Sequence, residues 1–455
     1  MTAAASEEVP FHLVGNFGPV TEEVTAFDLP VEGELPPELT GLYVRNGSNP
    51  PSGESPHWFF GAGMLHGVRL ESGRAAWYRN RYVRTPAIED PTVKRMNDRG
   101  VIDRRVSAAN THVIRHAGKI LALEEGSFPW VVDGELATIG ATDFDGVLEG
   151  SFTAHPKRCP VTGEMLAFGY SYKAPYLTYY RVSADGKLVQ TEPIDVPGPT
   201  MMHDFAITTN YTLFLDLPIV FDIQAAIRGE VPFMWSDDYG ARIGIMPRQG
   251  TNADVKWFEV DPCYIFHGVN AYEDTNGEIV FDASRAKEMW RTAGAMGDAN
   301  ANTGNLSLHR FRFDLANDRV SEETLEDRAM DFAVISPKLV GRKHRHGFFL
   351  KIGRGPGGSP RFDTIMKRDF DKGTVESHPL SDSEVPTEVA FAPSAGGDPT
   401  SDEGWLMAYV HDEASGETEF RVMDASNLNE PPVARVKLPQ RVPYGFHGSW
   451  LPDLR

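Results

Sequence analysis

The feature that most limits the fold of this chain is a short pattern repeated from end to end: an alternating apolar run, a tight-turn dipeptide, then another run. Lys119-Ile-Leu-Ala-Leu-Glu124, Tyr211-Thr-Leu-Phe-Leu-Asp216 and Glu278-Ile-Val-Phe-Asp282 have the residue types and two-residue period of strands. Ser72-Gly73, Ala117-Gly118, Asp133-Gly134, Thr162-Gly163, Asp185-Gly186, Asn276-Gly277 and Ser415-Gly416 suit hairpin turns that need positive φ. Strand, turn and strand across 455 residues predict an all-β chain. A β-propeller is the economical solution at that length, because radial closure protects most sheet edges. No strict repeat is visible, so the pattern alone leaves the blade count open. The 33 prolines and 43 glycines are spread evenly, and no composition break marks a boundary. One domain over 1–455 is expected.

Helical signal is scarce. Asp216-Leu-Pro-Ile-Val-Phe-Asp-Ile-Gln-Ala-Ala-Ile-Arg228 is the best candidate for a short helix in a loop. It reads either as a segment covering the core or as a nonpolar lip. As a lip, the 216–235 region would touch a membrane or a greasy substrate.

Charge excludes several partners. A net charge of −20 disfavours nucleic-acid phosphates and anionic lipid headgroups. Membrane contact would therefore have to be hydrophobic. Two cysteines, Cys159 and Cys263, are too few for a disulfide framework and fit a reducing compartment. The opening Met-Thr-Ala-Ala-Ala-Ser-Glu-Glu has no signal-peptide character. No run approaches the roughly 18 apolar residues of a spanning helix. A soluble cytoplasmic protein is expected.

Four of the 14 histidines stand apart. His155 lies in Phe152-Thr-Ala-His-Pro156 and His203 in Met201-Met-His-Asp-Phe205. His267 lies in Ile265-Phe-His-Gly268 and His447 in Gly445-Phe-His-Gly-Ser-Trp450. Taken singly, each reads as a satisfied core histidine. Taken together, four buried imidazoles need four polar partners, which a metal would supply. Their long separations suit ligands from different blades meeting on a propeller axis. Imidazole nitrogen suits Fe, Cu, Zn or Ni. A ligating histidine passes its other N–H to a carboxylate, carbonyl or water. Glu125, Glu388 and Asp331 stand in apolar surroundings and are candidates; the alternative for each is a solvated loop carboxylate. His12, His57, His116, His309, His344, His346, His378 and His411 sit in mixed contexts and read as exposed or simply hydrogen-bonded. His66 and His112 are ambiguous.

The motifs in sequence order resemble the carotenoid cleavage oxygenase family. The resemblance begins at Leu35-Pro-Pro-Glu-Leu-Thr-Gly-Leu-Tyr-Val-Arg-Asn-Gly-Ser-Asn-Pro50 and runs through Trp58-Phe-Phe-Gly-Ala-Gly-Met-Leu-His66 and Asn110-Thr-His-Val-Ile114. It takes in the four histidine motifs and ends at Phe446-His-Gly-Ser-Trp450. It implies a seven-bladed β-propeller with short helices and loops capping an axial Fe(II). By position it makes His155, His203, His267 and His447 the ligands. It places Glu125 and Glu388 behind them, Thr111 beside the iron and Phe59 on the substrate tunnel. It also implies O2 and a small apolar conjugated alkene as reactants, a carotenoid or apocarotenoid, or else a stilbene or phenylpropene. Three positions depart from the family, and one of them, Ala62 where the glycine-rich motif usually carries Asp, has no physical explanation. Asp331-Phe-Ala replaces Glu-Phe-Pro, so the bond to the imidazole is expected to be longer or bridged by water. Glu124 stands where phenolic-stilbene cleavers carry Lys, and a carboxylate there would repel a phenolate. Three rivals are weighed against this reading: a non-catalytic binding propeller, a lactonase-type propeller hydrolase with carboxylate and Asn ligands, and an isomerase that uses no O2.

Overall fold

In the computed structural model, residues 9–228, 231–291, 306–355 and 359–453 are described. Seven antiparallel sheets form the seven blades of a propeller. The second blade shows the plan: His112–His116, Lys119–Leu123, Trp130–Val132 and Thr138–Ala141 pair in chain order. The third to sixth blades repeat it, starting at Lys157–Arg158, Ala206–Ile207, Tyr264–Glu273 and Met330–Val334.

The ring closes twice. Gly448–Pro452, near the chain's end, pairs with Gly41–Ser48 of the first blade. Val31–Gly33, near its start, pairs with Ala434–Lys437 of the seventh. Each junction joins sequence-distant segments by backbone hydrogen bonds, so the first and seventh blades are both held by strands from the opposite end of the chain.

The core lies between blades. Met165 and Ala167 of the third blade pack with Leu121 and Leu123 of the second. Leu166 and Phe168, which alternate with them, pack with Ile207 and Phe214 of the fourth. A central strand thus buries both faces, which is why Met165–Tyr170 reads as a near-continuous apolar run. An outer strand such as Arg319–Glu326 keeps one face in water and alternates instead.

The predicted turns are hairpins. Gly118 takes φ +78 between His112–His116 and Lys119–Leu123, and Ala117 before it takes φ +47. The pair has the signs of a type I′ turn. Asp133-Gly134 is the exception: Leu136, at φ +65, carries the left-handed position of that hairpin.

The expected helix over Asp216–Arg228 is corrected. Tyr211–Asp216 is a strand, Ile219–Phe221 is a second short strand, and only Ile223–Ile227 is helical. Pro218 blocks helix there, and Val220 and Phe221 favour strand. Asp222 then starts the single turn by accepting from Gln224 N and Ala225 N at 2.7 and 3.2 Å. Ile219–Phe221 pairs with Phe233–Trp235 in a hairpin inserted into the fourth blade. No helix among the described residues is long and apolar enough to cross a membrane.

Candidate metal centre

Each of the seven blades delivers a polar side chain to the axis. His155, His203, His267 and His447 come from the third, fourth, fifth and first blades, at or just before the strand that forms one edge of each sheet. The sixth and seventh blades, skipped between His267 and His447, supply Asp331 and Glu388 instead. The second supplies Thr111 and Glu125, at the two ends of its first hairpin.

Among the described residues, the ligand atoms of these four histidines all lie within 4.8 Å of one another. His155 Nε2 is 3.0 Å from His203 Nε2, which is 3.3 Å from His267 Nε2. Behind them, His447 Nδ1 meets Glu388 Oε1 at 3.0 Å and His267 Nδ1 meets Asp331 Oδ2 at 3.0 Å. His203 Nδ1 meets Glu125 Oε1. A carboxylate at Nδ1 draws the proton there and leaves Nε2 as a bare lone pair. Two such lone pairs, at His203 and His267, lie 3.3 Å apart and repel unless a cation lies between them. The donor set therefore fits a metal that accepts neutral imidazoles and keeps its charge. Burial pushes His155 and His447 down in pKa, toward the neutral form a metal needs. At His267 burial acts the same way, but Asp331 outweighs it and the shift is upward.

The carboxylates are held in turn. Glu388 Oε2 accepts from Gly448 N at 2.8 Å, and Glu125 Oε2 accepts from Tyr170 Oη at 2.5 Å. Asp331 Oδ2 lies 3.0 Å from His267 Nδ1, an ion-pair distance that corrects the expectation of a longer or water-bridged contact, though the pair lacks the hydrogen-bond alignment of His447 and Glu388. A bulge between Asp331 and Val334, with Phe332 at φ +56, sets the strand at this point. The Phe332 ring lies 5.3 Å from His267 and 5.5 Å from His447.

The centre opens on a cavity of about 560 Å³ lined mainly by apolar side chains. Phe59 and Thr111 line it as expected, with Phe266, Trp290, Phe446 and Phe332. The Thr111 hydroxyl donates to Asn110 Oδ1 at 3.0 Å. A second cavity of about 240 Å³ shares His267, His447 and Phe332 with the first. Lys157 and Asp204, ion-paired at 2.6 Å, line it.

A family model described as "Retinal pigment epithelial membrane protein" matches residues 17–452. The chain belongs to the carotenoid cleavage oxygenase family. It is 37% identical to a Mycobacterium tuberculosis protein named carotenoid cleavage oxygenase, over 99% of both chains. It is 35% identical to a Phaseolus vulgaris protein named carotenoid 9,10(9',10')-cleavage dioxygenase 1, over 98% of this chain and 90% of that one. Among solved structures, a Pseudomonas brassicacearum lignostilbene dioxygenase superposes with a TM-score of 0.86 at 29% identity, covering 98% of this chain and 100% of that one. A variant of a Synechocystis apocarotenoid oxygenase gives 0.84 at 26%, covering 96% and 98%.

Within this carotenoid cleavage oxygenase fold, the remaining histidines are settled. His12, His57, His116, His309, His344, His346, His378 and His411 are each 9% exposed or less, which corrects the expectation of exposure. The reason is the interblade core, which covers strand residues that look surface-like in sequence. Simple hydrogen bonding does describe several of them, such as His116 to Ser183 O at 2.8 Å and His378 to Leu428 O at 2.9 Å. His66 bonds the Tyr78 hydroxyl at 2.9 Å, away from the axis. His112 bonds Ala154 O at 2.9 Å and lies 5.2 Å from the His447 ring.

Glu124 lines the main cavity, but it is not the bare carboxylate expected. Arg95 pairs with it at 3.2 and 3.1 Å. Burial alone would push Glu124 up; Arg95 and the hydrogen bonds from Ser127 and Gly126 outweigh burial and hold it below the usual range. Sequence reasoning missed Arg95, Arg104 and Tyr170, all of which line the main cavity. None is near a histidine motif in sequence.

Proposed function

We propose that His155, His203, His267 and His447 hold Fe(II), and that the protein is a dioxygenase splitting one C=C bond of an apolar conjugated alkene into two carbonyls. A carotenoid or apocarotenoid is the favoured substrate class. The observation that carries this reading is four convergent imidazole lone pairs at the wall of an aromatic cavity of about 560 Å³. When bound, Fe(II) supplies the redox centre for O2; both oxygen atoms end in the products, so the reaction balances with no further reductant. Glu125, Asp331 and Glu388 fix the tautomers and orientations of three ligands. Phe59, Phe266 and Phe446 exclude water and align a flat conjugated chain. Thr111 narrows the space beside the metal. The cavity fixes which double bond lies at the centre. A hydrolase set of carboxylate and Asn ligands does not fit, since the carboxylates here stand behind the imidazoles at Nδ1.

The test is turnover under ¹⁸O₂ with a panel of apocarotenals, stilbenes and phenylpropenes, with iron content measured in parallel. One labelled oxygen in each carbonyl is expected. His203→Ala should lose iron and cleavage together. Iron-free protein, or cleavage that survives His203→Ala, would sink the reading; unlabelled rearranged product would mark an isomerase.

We further propose that the one-turn helix of the fourth-blade insertion touches a nonpolar surface where the substrate resides. Ile223 and Ile227 are 52% and 72% exposed, while Phe221 and Phe233 nearby line the cavity. Ile223→Asp with Ile227→Asp should abolish flotation with neutral lipid vesicles; unchanged flotation would refute it.

A further inference from the structure

The turn after Lys119–Leu123 carries two systems at once. Glu125 faces the metal centre, where His203 and Tyr170 occupy its two oxygens. Its neighbours Glu124 and Gly126 organise two guanidinium groups. Glu124 is saturated: besides Arg95, it accepts from Ser127 Oγ at 2.6 Å, Ser107 Oγ at 3.1 Å and Gly126 N at 3.0 Å. The Arg95 guanidinium lies so close over Gly126 that a Cβ there would meet its Nη2. Arg104 donates Nη1 to Gly126 O at 2.8 Å and, among the described residues, makes no ion pair.

Arg95 and Arg104 both line the main cavity. Glu124 neutralises Arg95, whereas the Arg104 guanidinium, held by the Gly126 carbonyl, has no ion-pair partner among the described residues at its end of a mostly apolar chamber. A partly buried cation without a counter-charge is costly unless a ligand supplies one. Planar guanidinium donors suit a carboxylate or phenolate oxygen.

We propose that Arg95 and Arg104 form an anionic-oxygen subsite, and that the substrate is a conjugated alkene bearing a carboxylate or phenolate at one end. The inference rests on the alkene-cleaving reading and names its substrate class more narrowly. Glu124 and Glu125 are adjacent, so their Cα atoms are about 3.8 Å apart. Glu125 backs His203, so the subsite and the metal centre share one turn of the chain.

The experiment is binding of matched pairs to the iron-loaded full chain under nitrogen, read by tryptophan fluorescence quenching. The pairs are a polyene acid with its methyl ester, and a hydroxystilbene with its methyl ether at a pH where the phenol ionises. The unmodified protein should bind one anionic member about 10- to 100-fold more tightly than its neutral partner, the range for a charge-assisted hydrogen bond. Which pair shows it tells carboxylate from phenolate. Arg104→Met should erase the preference between the two members of the pair. Arg95→Met, which leaves Glu124 unneutralised, should reverse it. Iron content and circular dichroism confirm that each variant is folded. Equal binding of both members of both pairs, or a preference that survives both substitutions, overturns the proposal. If no polyene or stilbene binds at all, the alkene reading fails and this inference with it.

Discussion

At the scale of single residues, the centre is built by pairing each of three imidazoles with its own acid. Asp331 shows how strongly backbone shape decides such a contact. One methylene shorter than the family's usual glutamate, it still reaches His267 Nδ1 at 3.0 Å, the distance Glu388 keeps to His447. Phe332 beside it sits in the left-handed region, a conformation that costs a non-glycine residue roughly 1–2 kcal/mol. The surrounding packing must hold it there. Asp331→Asn keeps the shape and removes the charge. It should weaken metal affinity about 10- to 100-fold, checked by competition with a chelator of known affinity. Retention of full affinity would mean the carboxylate only fills space. The ligands were legible in sequence because apolar and glycine neighbours marked them. The close Asp331 contact was not, because a bulge depends on strand pairing with Phe348 and Leu350, fourteen or more residues away.

At the scale of elements, alternation and turn dipeptides were enough to locate strands such as Tyr211–Asp216. They failed in the fourth-blade insertion, where Pro218 bars helix and Ile219–Phe221 finds its partner strand only at Phe233–Trp235. The blade count was not legible from pattern, because both faces of inner strands are buried and blur the period. Phe168 illustrates the load such a strand bears: it is fully buried and meets Phe205 edge-on at 5.2 Å, two residues past His203. Phe168→Ala should cost about 3–5 kcal/mol, read as a fall in denaturant midpoint at unchanged slope. Polar ends of strands matter at low pH. Burial would push Asp369 up, but hydrogen bonds from Arg345 and the Lys372 N–H outweigh it and pull its pKa down to about 2. A folded-state value below the unfolded value of about 3.9 gives stability that is complete above that pH and is lost as pH falls toward 2. Asp369→Asn should therefore lower stability at pH 7 and flatten its loss between pH 4 and 2, followed by thermal melts across that range.

At the scale of the whole molecule, a metal on the four histidines would tie the consecutive third, fourth and fifth blades to the first, since His447 lies 180 residues past His267. Anything that binds the folded ring and not the unfolded chain stabilises it by mass action, by about 4 kcal/mol when free metal is 1,000 times Kd. Chelation should therefore lower the melting temperature, and metal should restore it. An unchanged melt would mean the ring is rigid without the ion. The double closure has a consequence for biosynthesis. His447 immediately precedes the strand that seals the first blade against Gly41–Ser48, and Glu388 steadies it with one oxygen while the other accepts from Gly448 N. A nascent chain that has not yet reached His447 holds three of the four clustered histidines, and its first blade lacks that edge. The complete four-histidine set therefore exists only once the strand that seals the ring has been made.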